Sequence, residues 1–506
     1  MTISSPFHHR RFVLAGLVAS LASPALAQRL DSSIRPRARP AALQPSAPVA
    51  GVPAAPAAAN GAAAEAARLV EAAKLGGRTS FAVIDIASGR LIEGRDETVA
   101  QPPASVAKAL TALYALHHLG TQHRFVTQAV AAGALSGGRL DGDLVLWGTG
   151  DPTLDTDRLA DLAAGLKERG LREVTGRFLV FGGALPRLSL IDPTQPDHVG
   201  YNPALSGLNL NFNRVHFEWK RGQNGWQVGM DARGARHVPR VGMAQVRVVQ
   251  RDSPLFTYER REGQEVWTVA AGSLGKGGSR WLPVRQPELY AGEVFQTLCA
   301  AQGIRLRAPQ VVSNPPQGTV LAQVSSDDMR AVIRDMMRHS TNITAEVLGL
   351  SSSRAGSLEA SGSQMSRWLG QSYGVEARLI DHSGLGAGSR ISAAGLAQVM
   401  ARAQGGPLRS LMRDFGTQAA RSGKNVKGGP SVQAKTGTLN FVSGLSGYVT
   451  TGSGRNLAFA ILSSDLPRRE GLRGAEREQP SGGPQWTRRA RALQGELLEL
   501  WARAHG

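Results

Sequence analysis

Apolar residues recur at three-to-four spacing through Val106, Leu110, Leu113 and Leu116, directly after Pro102-Pro103. That period predicts a helix packed on a core, with the prolines marking its start. Met329, Val332, Ile333, Met336 and Met337 predict a second such helix over Asp327–Arg338, followed by another beginning near Ile343. An amphipathic stretch, Glu65–Leu75, predicts the first ordered helix, and Thr487–Ala504 a closing one. Strand-like runs lie between them. Ser80–Ile86 turns at Ser88-Gly89 and returns through Arg90–Glu93, while Leu445–Thr450 and Asn456–Leu462 read as adjacent antiparallel strands.

From His123 to Val324 the pattern is mixed and carries no catalytic signature. Strands are expected at Asp143–Trp147, Gly176–Phe181, Val215–Trp219, Trp226–Met230 and Ala244–Val249, and helices at Asp155–Arg169 and Glu293–Gln302. No internal repeat is evident. The expected organisation is a catalytic domain in two parts, 64–125 and 325–506, split by inserted domains over 126–324.

Ahead of the first helix the composition changes. Residues 28–63 are rich in Ala, Pro and Arg with few large apolar side chains, so they read as a disordered linker. Residues 1–27 read as an export signal: His8-His9-Arg10-Arg11 is basic, Phe12–Leu26 is apolar, and Ala25-Leu26-Ala27 fits a cleavage site. The general secretory route is expected, or the twin-arginine route if Arg10-Arg11-Phe12 is its signal. The apolar run is too short for an anchor, and no later segment has about twenty uninterrupted apolar residues. The expected mature protein is periplasmic, without a transmembrane anchor.

The formal charge is +19. It suits a polyanionic partner such as the envelope, or a solvated surface, whereas nucleic acid is disfavoured by the export signal and by the lack of a recognition motif. The single cysteine, Cys299, cannot form an internal disulfide and lies on one face of a predicted helix, as a buried structural thiol would.

Candidate chemistry rests on three motifs in fixed order: Ser105-Val106-Ala107-Lys108, Ser340-Thr341-Asn342 and Lys435-Thr436-Gly437-Thr438. Helical spacing i, i+3 brings the Lys108 amine to the Ser105 hydroxyl, a nucleophile beside a base near the positive end of a helix dipole. Burial beside a second cation such as Lys435 would lower the Lys108 pKa, as a base requires. Each motif has an ordinary alternative. Ser273-Leu274-Gly275-Lys276 also matches the first but sits among glycines, Ser340-Thr341-Asn342 suits a helix cap, and a lysine guards many edge strands.

The order and spacing resemble the penicillin-recognising serine enzymes. The long interval between Ser105 and Ser340 is similar to the D-alanyl-D-alanine carboxypeptidase/endopeptidase family, the class C low-molecular-mass penicillin-binding proteins. Gly150–Leu154, Ser206–Asn213, Asp381–Leu385 and Arg390–Ala393 support the likeness, which runs from Phe81 to Leu462. The resemblance implies an α/β fold of the penicillin-binding/β-lactamase-like transpeptidase type: an antiparallel sheet with flanking helices, an all-α subdomain and large mixed insertions. It implies Ser105 as nucleophile and Lys108 as its base. Ser340 and Lys435 would relay a proton to the leaving amine, and Asn342 would hold the substrate amide or orient Lys108. Thr436, Gly437 and Thr438 would bind the substrate carboxylate, and the backbone N–H groups of Ser105 and Thr438 would form the oxyanion hole. Peptidoglycan stem peptides are the implied substrates and β-lactam antibiotics the covalent inhibitors, with no cofactor and no metal.

The chain departs from that pattern at His382, where a glycine is usual, and at Gly386-Ala387-Gly388-Ser389, which lacks an arginine at Ala387. A structural or rim role is expected for His382. His117 and His118 lack partner carboxylates for a metal, and Asp197 is a weak candidate for recognising an amino group of the peptide. A serine β-lactamase and a non-catalytic wall-binding homologue are the competing functions. The first would commonly carry a Glu-x-x-Leu-Asn loop, which is missing here, and the second is disfavoured by the full motif set.

Overall fold

Strand Asn456–Ser464 lies in the interior of an antiparallel sheet whose six strands run in the order Arg413–Asp414, Ser431–Leu439, Val442–Thr450, Asn456–Ser464, Arg78–Asp85, Leu91–Arg95. Because both faces of this sheet are covered, its inner strands are apolar without a clean alternation. Leu457, Phe459 and Ile461 join Phe81 and Val83 beneath Trp486, Leu493, Leu497 and Trp501 of the closing helix, Gly483–Ala504. Ala458, Ala460 and Leu462 point the other way into a core shared with helix Ala393–Ala403. Small side chains on that face admit the helix closely. The computed structural model describes residues 58–415, 430–478 and 480–506.

Helices Ala107–His118, Met329–His339, Asn342–Ser353 and Leu358–Tyr373 build an all-α region on the same core. Every residue from Ala107 to Ala115 is buried, Lys108 and Thr111 among them. A helix enclosed on all sides is central, and it carries whatever its polar residues do into the interior.

The chain leaves this region along Val126–Ser136 and returns along Thr319–Ser325, paired antiparallel so that Val126 faces Ser325. Between them a mixed sheet, which also includes Arg139–Gly148, Phe178–Phe181 and Pro309–Val311, and two three-stranded sheets surround a second core containing Phe178, Phe217, Trp267, Tyr290, Phe295 and Cys299. Cys299 is a free buried thiol on helix Pro287–Ala301, and burial pushes its pKa up.

The expected antiparallel sheet, flanking helices, all-α region and mixed insertion are all present. Some bounds differ. The first helix spans Ala58–Ala72, not Glu65–Leu75, so the last residues expected in the linker are helical. The alanine run explains this, since alanine is the strongest helix former and needs no amphipathic period to be helical. The expected export signal and the linker up to residue 57 lie outside the described residues. Among the described residues no helix is long and apolar enough to cross a membrane.

Candidate active site

Ser105 sits in a 3₁₀ turn, Ala104–Val106, that feeds directly into helix Ala107–His118. Ala104, just before it, takes φ of +46°, in the left-handed region that non-glycine residues seldom occupy. Two glycines make room for this strained turn. A Cβ on Gly384 would lie 1.9 Å from the Ala104 carbonyl oxygen, and one on Gly437 would lie 2.9 Å from the Ser105 nitrogen. Gly437 thus lets the Lys435–Thr438 strand run against the nucleophile's backbone.

The Lys108 Nζ is 2.8 Å from Ser105 Oγ, 2.7 Å from Asn342 Oδ1 and 2.9 Å from the Ser383 carbonyl oxygen. Asn342 and Ser383 offer only acceptors to it. A neutral amine has two N–H groups for these two partners, leaving its lone pair for the Ser105 hydroxyl. Burial lowers the Lys108 pKa to about 7, against the opposing pull of the Glu346 and Asp381 carboxyls. The amide orientation of Asn342 is set from its far side, where Nδ2 donates to the Tyr201 carbonyl at 2.9 Å.

A second pair stands beside the first. Lys435 Nζ donates to Ser340 Oγ at 2.9 Å and to the Thr436 carbonyl at 2.7 Å. Burial holds its pKa well below the ordinary lysine value, helped by the charges of Lys108 and Arg413. Ser340, in the left-handed conformation at φ +58°, ends helix Met329–His339, and Asn342 opens the next helix. The Thr436 and Thr438 side chains are exposed and stand outside both networks, the Thr438 hydroxyl accepting from Arg491 at 3.5 Å. The competing Ser273 spends its hydroxyl on the Ala270 carbonyl, and Lys276 is exposed.

Glu346 was not legible from the motifs. It is fully buried one turn after Asn342 and accepts from the His382 and Ser383 backbone N–H groups, each at 2.9 Å. Burial first, then the Asp381 carboxyl, raises its pKa to about 8. Asp381, likewise raised by burial, accepts from the N–H groups of Gly384 and Gly386. Together they fix the loop that presents the Ser383 carbonyl to Lys108. The i+4 spacing from Asn342 was the available signal for Glu346, whereas Tyr201 acts through a carbonyl that every residue type possesses.

His382 is buried, with Nε2 2.6 Å from Ser361 Oγ, and burial pushes its pKa down to about 3. It has no contact with Ser105, consistent with a structural place. Arg390 reaches back to donate to the Ala387 carbonyl at 2.6 Å, so a guanidinium adjoins the segment where the family arginine is missing. His117 and His118 pack against Trp368. The metal-spaced group His216, Glu218 and Asp231 lies in the insertion, where Arg233 bonds both carboxylates.

The D-Ala-D-Ala carboxypeptidase 3 (S13) family matches residues 62–480. The chain belongs to this family. Among known proteins it is 26% identical over 430 residues to a D-alanyl-D-alanine carboxypeptidase of Actinomadura sp. (strain R39), covering 78% of this chain and 79% of that one. It is 25% identical over 413 residues to D-alanyl-D-alanine carboxypeptidase DacB of Haemophilus influenzae, covering 76% and 85% respectively. The crystal structure of penicillin binding protein 4 (dacB) from H. influenzae superposes with a TM-score of 0.69 at 21% identity, over 86% of this chain and 99% of that one. The S13 fold, a penicillin-binding transpeptidase fold with an inserted region, is therefore the fold of this chain.

Proposed function

We propose that this S13 peptidase uses Ser105 as acyl-accepting nucleophile and Lys108 as its general base. The enzyme is a serine D,D-peptidase of the cell wall, acting on peptidoglycan stem peptides and binding β-lactams covalently. Lys108 takes the Ser105 proton as Oγ attacks the carbonyl carbon of the penultimate D-alanine. The backbone N–H groups of Ser105 and Thr438 receive the developing oxyanion, an arrangement in which one donor is typically worth about 3 kcal/mol. Ser340 and Lys435 carry a proton to the leaving amine, so the C–N bond breaks and D-alanine, or the amine-bearing strand of a cross-link, departs. Water then cleaves the acyl-serine ester. Thr436 and Thr438, with the charge of Lys435, hold the terminal carboxylate, and Asn342 orients Lys108.

The observation that carries this assignment is the three-oxygen setting of Lys108, whose geometry leaves a neutral amine with its lone pair on Ser105. Arg390, which donates to the Ala387 carbonyl, and Arg469, whose ionisation is depressed first by burial and also by the charge of Arg390, supply positive charge where the arginine at 387 is missing. They favour an acidic portion of the stem peptide. Export to the periplasm by the segment 1–27, and a two-part catalytic domain interrupted at 126–324, complete the proposal.

Ser105→Ala should abolish labelling by a fluorescent penicillin, while Ser273→Ala should leave it intact. Persistent labelling of Ser105→Ala would overturn the assignment. Mass spectrometry of muropeptides then separates loss of one alanine from monomers, carboxypeptidase action, from conversion of dimers to monomers, endopeptidase action.

A further inference from the structure

The Asn342 amide is aimed by the Tyr201 carbonyl, and Tyr201 belongs to the insertion, not to any of the three motifs. The segment 189–202 that carries it has no regular helix or strand of its own. Its course therefore depends on bonds from elsewhere. Arg285 supplies them: Nη1 donates to the carbonyls of Ser189 at 3.0 Å and Asn202 at 2.6 Å, and Nη2 donates to that of Asp197 at 2.7 Å. One side chain thus grips the segment at both ends and near its middle, immediately beside Tyr201.

Arg285 is itself built in. It is 6% exposed, and its backbone N–H and that of Gln286 donate to Oε1 of the fully buried Glu265 at 2.8 and 2.6 Å. Within the segment, the Asn202 side chain accepts from the N–H groups of Ile191 and Asp192 and donates to the Asp192 carbonyl. Its outer edge is tied to the catalytic half through His198 with Glu478 at 2.7 Å and Arg477 with the Thr194 carbonyl at 3.2 Å. A buried guanidinium whose donors go to three main-chain oxygens of one irregular segment does more than fill space. Losing it leaves those carbonyls without partners and frees the segment to shift.

We propose that Arg285 is a positioning residue for acyl transfer: it fixes segment 189–202 so that the Tyr201 carbonyl holds the Asn342 amide with Oδ1 toward Lys108. If the Tyr201 carbonyl moves, the amide can rotate and turn its NH₂ toward the Lys108 amine. The base then loses an acceptor and its aim on Ser105. The insertion, which contributes no motif residue, thereby controls the base.

The inference rests on the acyl-transfer function proposed above, and a double-mutant cycle on full-length protein separates the two. Rates of labelling by a fluorescent penicillin are measured for the unsubstituted protein, Arg285→Met, Asn342→Ala and the double variant, with thermal unfolding recorded for each. Arg285→Met should slow labelling by about tenfold when Asn342 is present and by less than about twofold in the Asn342→Ala background, since effects transmitted through one residue do not add. Equal slowing in both backgrounds, or none in either, overturns the inference. No labelling of the unsubstituted protein would instead overturn the proposed function. Arg285→Lys, which retains the charge and part of the donor set, should recover some of the rate and serves in the cycle if Arg285→Met does not fold. Asn202→Ala provides a third entry to the same cycle from within the segment.

Discussion

Lys108 Nζ meets Asn342 Oδ1 at 2.7 Å across 234 residues of sequence, and the same amide donates from its other end to Tyr201. Asn342 is suited to this position because it is neutral and bifunctional. Asn342→Asp would place a carboxylate against the Lys108 amine and leave the Tyr201 carbonyl facing a second acceptor. The added negative charge raises the Lys108 pKa above its present value of about 7. Lys108 would then be protonated at neutral pH and unable to take the Ser105 proton. Penicillin acylation at pH 7 should fall by about tenfold or more, each unit of pKa being a factor of ten in the free-base fraction, with partial recovery at pH 9. An unchanged rate at pH 7 would contradict the role given to Lys108.

The unsubstituted protein should show the corresponding pH dependence. With the Lys108 pKa lowered to about 7, acylation rises with pH on the acid side and levels above neutrality. On that acid limb the rate should drop about tenfold per pH unit, because one proton must leave one base. The measurement is the rate of fluorescent-penicillin labelling from pH 5 to 9. A rate that stayed level from pH 5 to 9 would point instead to a base of lower pKa such as a carboxylate.

Glu346 gives a stability prediction with a definite sign. Its pKa is raised from 4.5 to about 8 in the fold, so the folded state holds a proton more tightly than the unfolded chain. The stabilisation from that proton is complete below about pH 4.5 and is lost as pH rises through about 8. Glu346→Gln removes this dependence. It also turns an NH₂ toward one of the two N–H groups, His382 or Ser383, that the carboxyl now accepts, and an unsatisfied buried donor costs about 1–3 kcal/mol. The Tm deficit of Glu346→Gln should therefore be largest near pH 5 and shrink toward pH 8. A deficit that grew with pH would reverse the assigned direction.

Much of this site could be read from the chain because its chemistry is local in sequence. Ser105 and Lys108 declare themselves by i, i+3 spacing on an apolar helix, and Ser340 by its place between two helical stripes. Pairing between distant segments was less legible. Arg285 and Tyr201 meet the site through main-chain oxygens, which leave no trace in residue type. Helix Leu358–Tyr373 escaped because its sequence mixes Gly, Ser and Gln with few apolar residues: Met365, Trp368 and Leu369 are buried in the core, and Leu358 and Tyr373 at its ends are only partly buried against it. Thr436 and Thr438 were expected to bind a carboxylate. Their exposure leaves them available at the strand surface, where burial could not have announced them.

The departure at His382 has a counterpart that only the fold reveals. Gly349, in the interior of helix Asn342–Ser353, faces the His382 ring so closely that a Cβ there would lie 2.1 Å from its Cγ and Cδ2. The imidazole occupies the space a side chain at 349 would need, while Thr111 donates to the His382 carbonyl at 2.6 Å and ties the loop to the nucleophile helix. In an unobstructed helix interior Gly→Ala would stabilise by about 1 kcal/mol. Here Gly349→Ala should destabilise, overpacking in a filled core costing about 1–3 kcal/mol, and it should slow acylation as the Ser383 carbonyl is displaced from Lys108. His382→Gly should also lower the Tm, since it opens a cavity and removes one of the two hydrogen-bond partners of the Ser361 hydroxyl, the other being Ser353. In the double variant the alanine methyl enters the vacated space, so adding Gly349→Ala to His382→Gly should raise the Tm instead of lowering it. Calorimetry of the four proteins tests this sign change, and a Gly349→Ala penalty of the same size in both backgrounds would show that the imidazole is not what excludes a side chain at position 349.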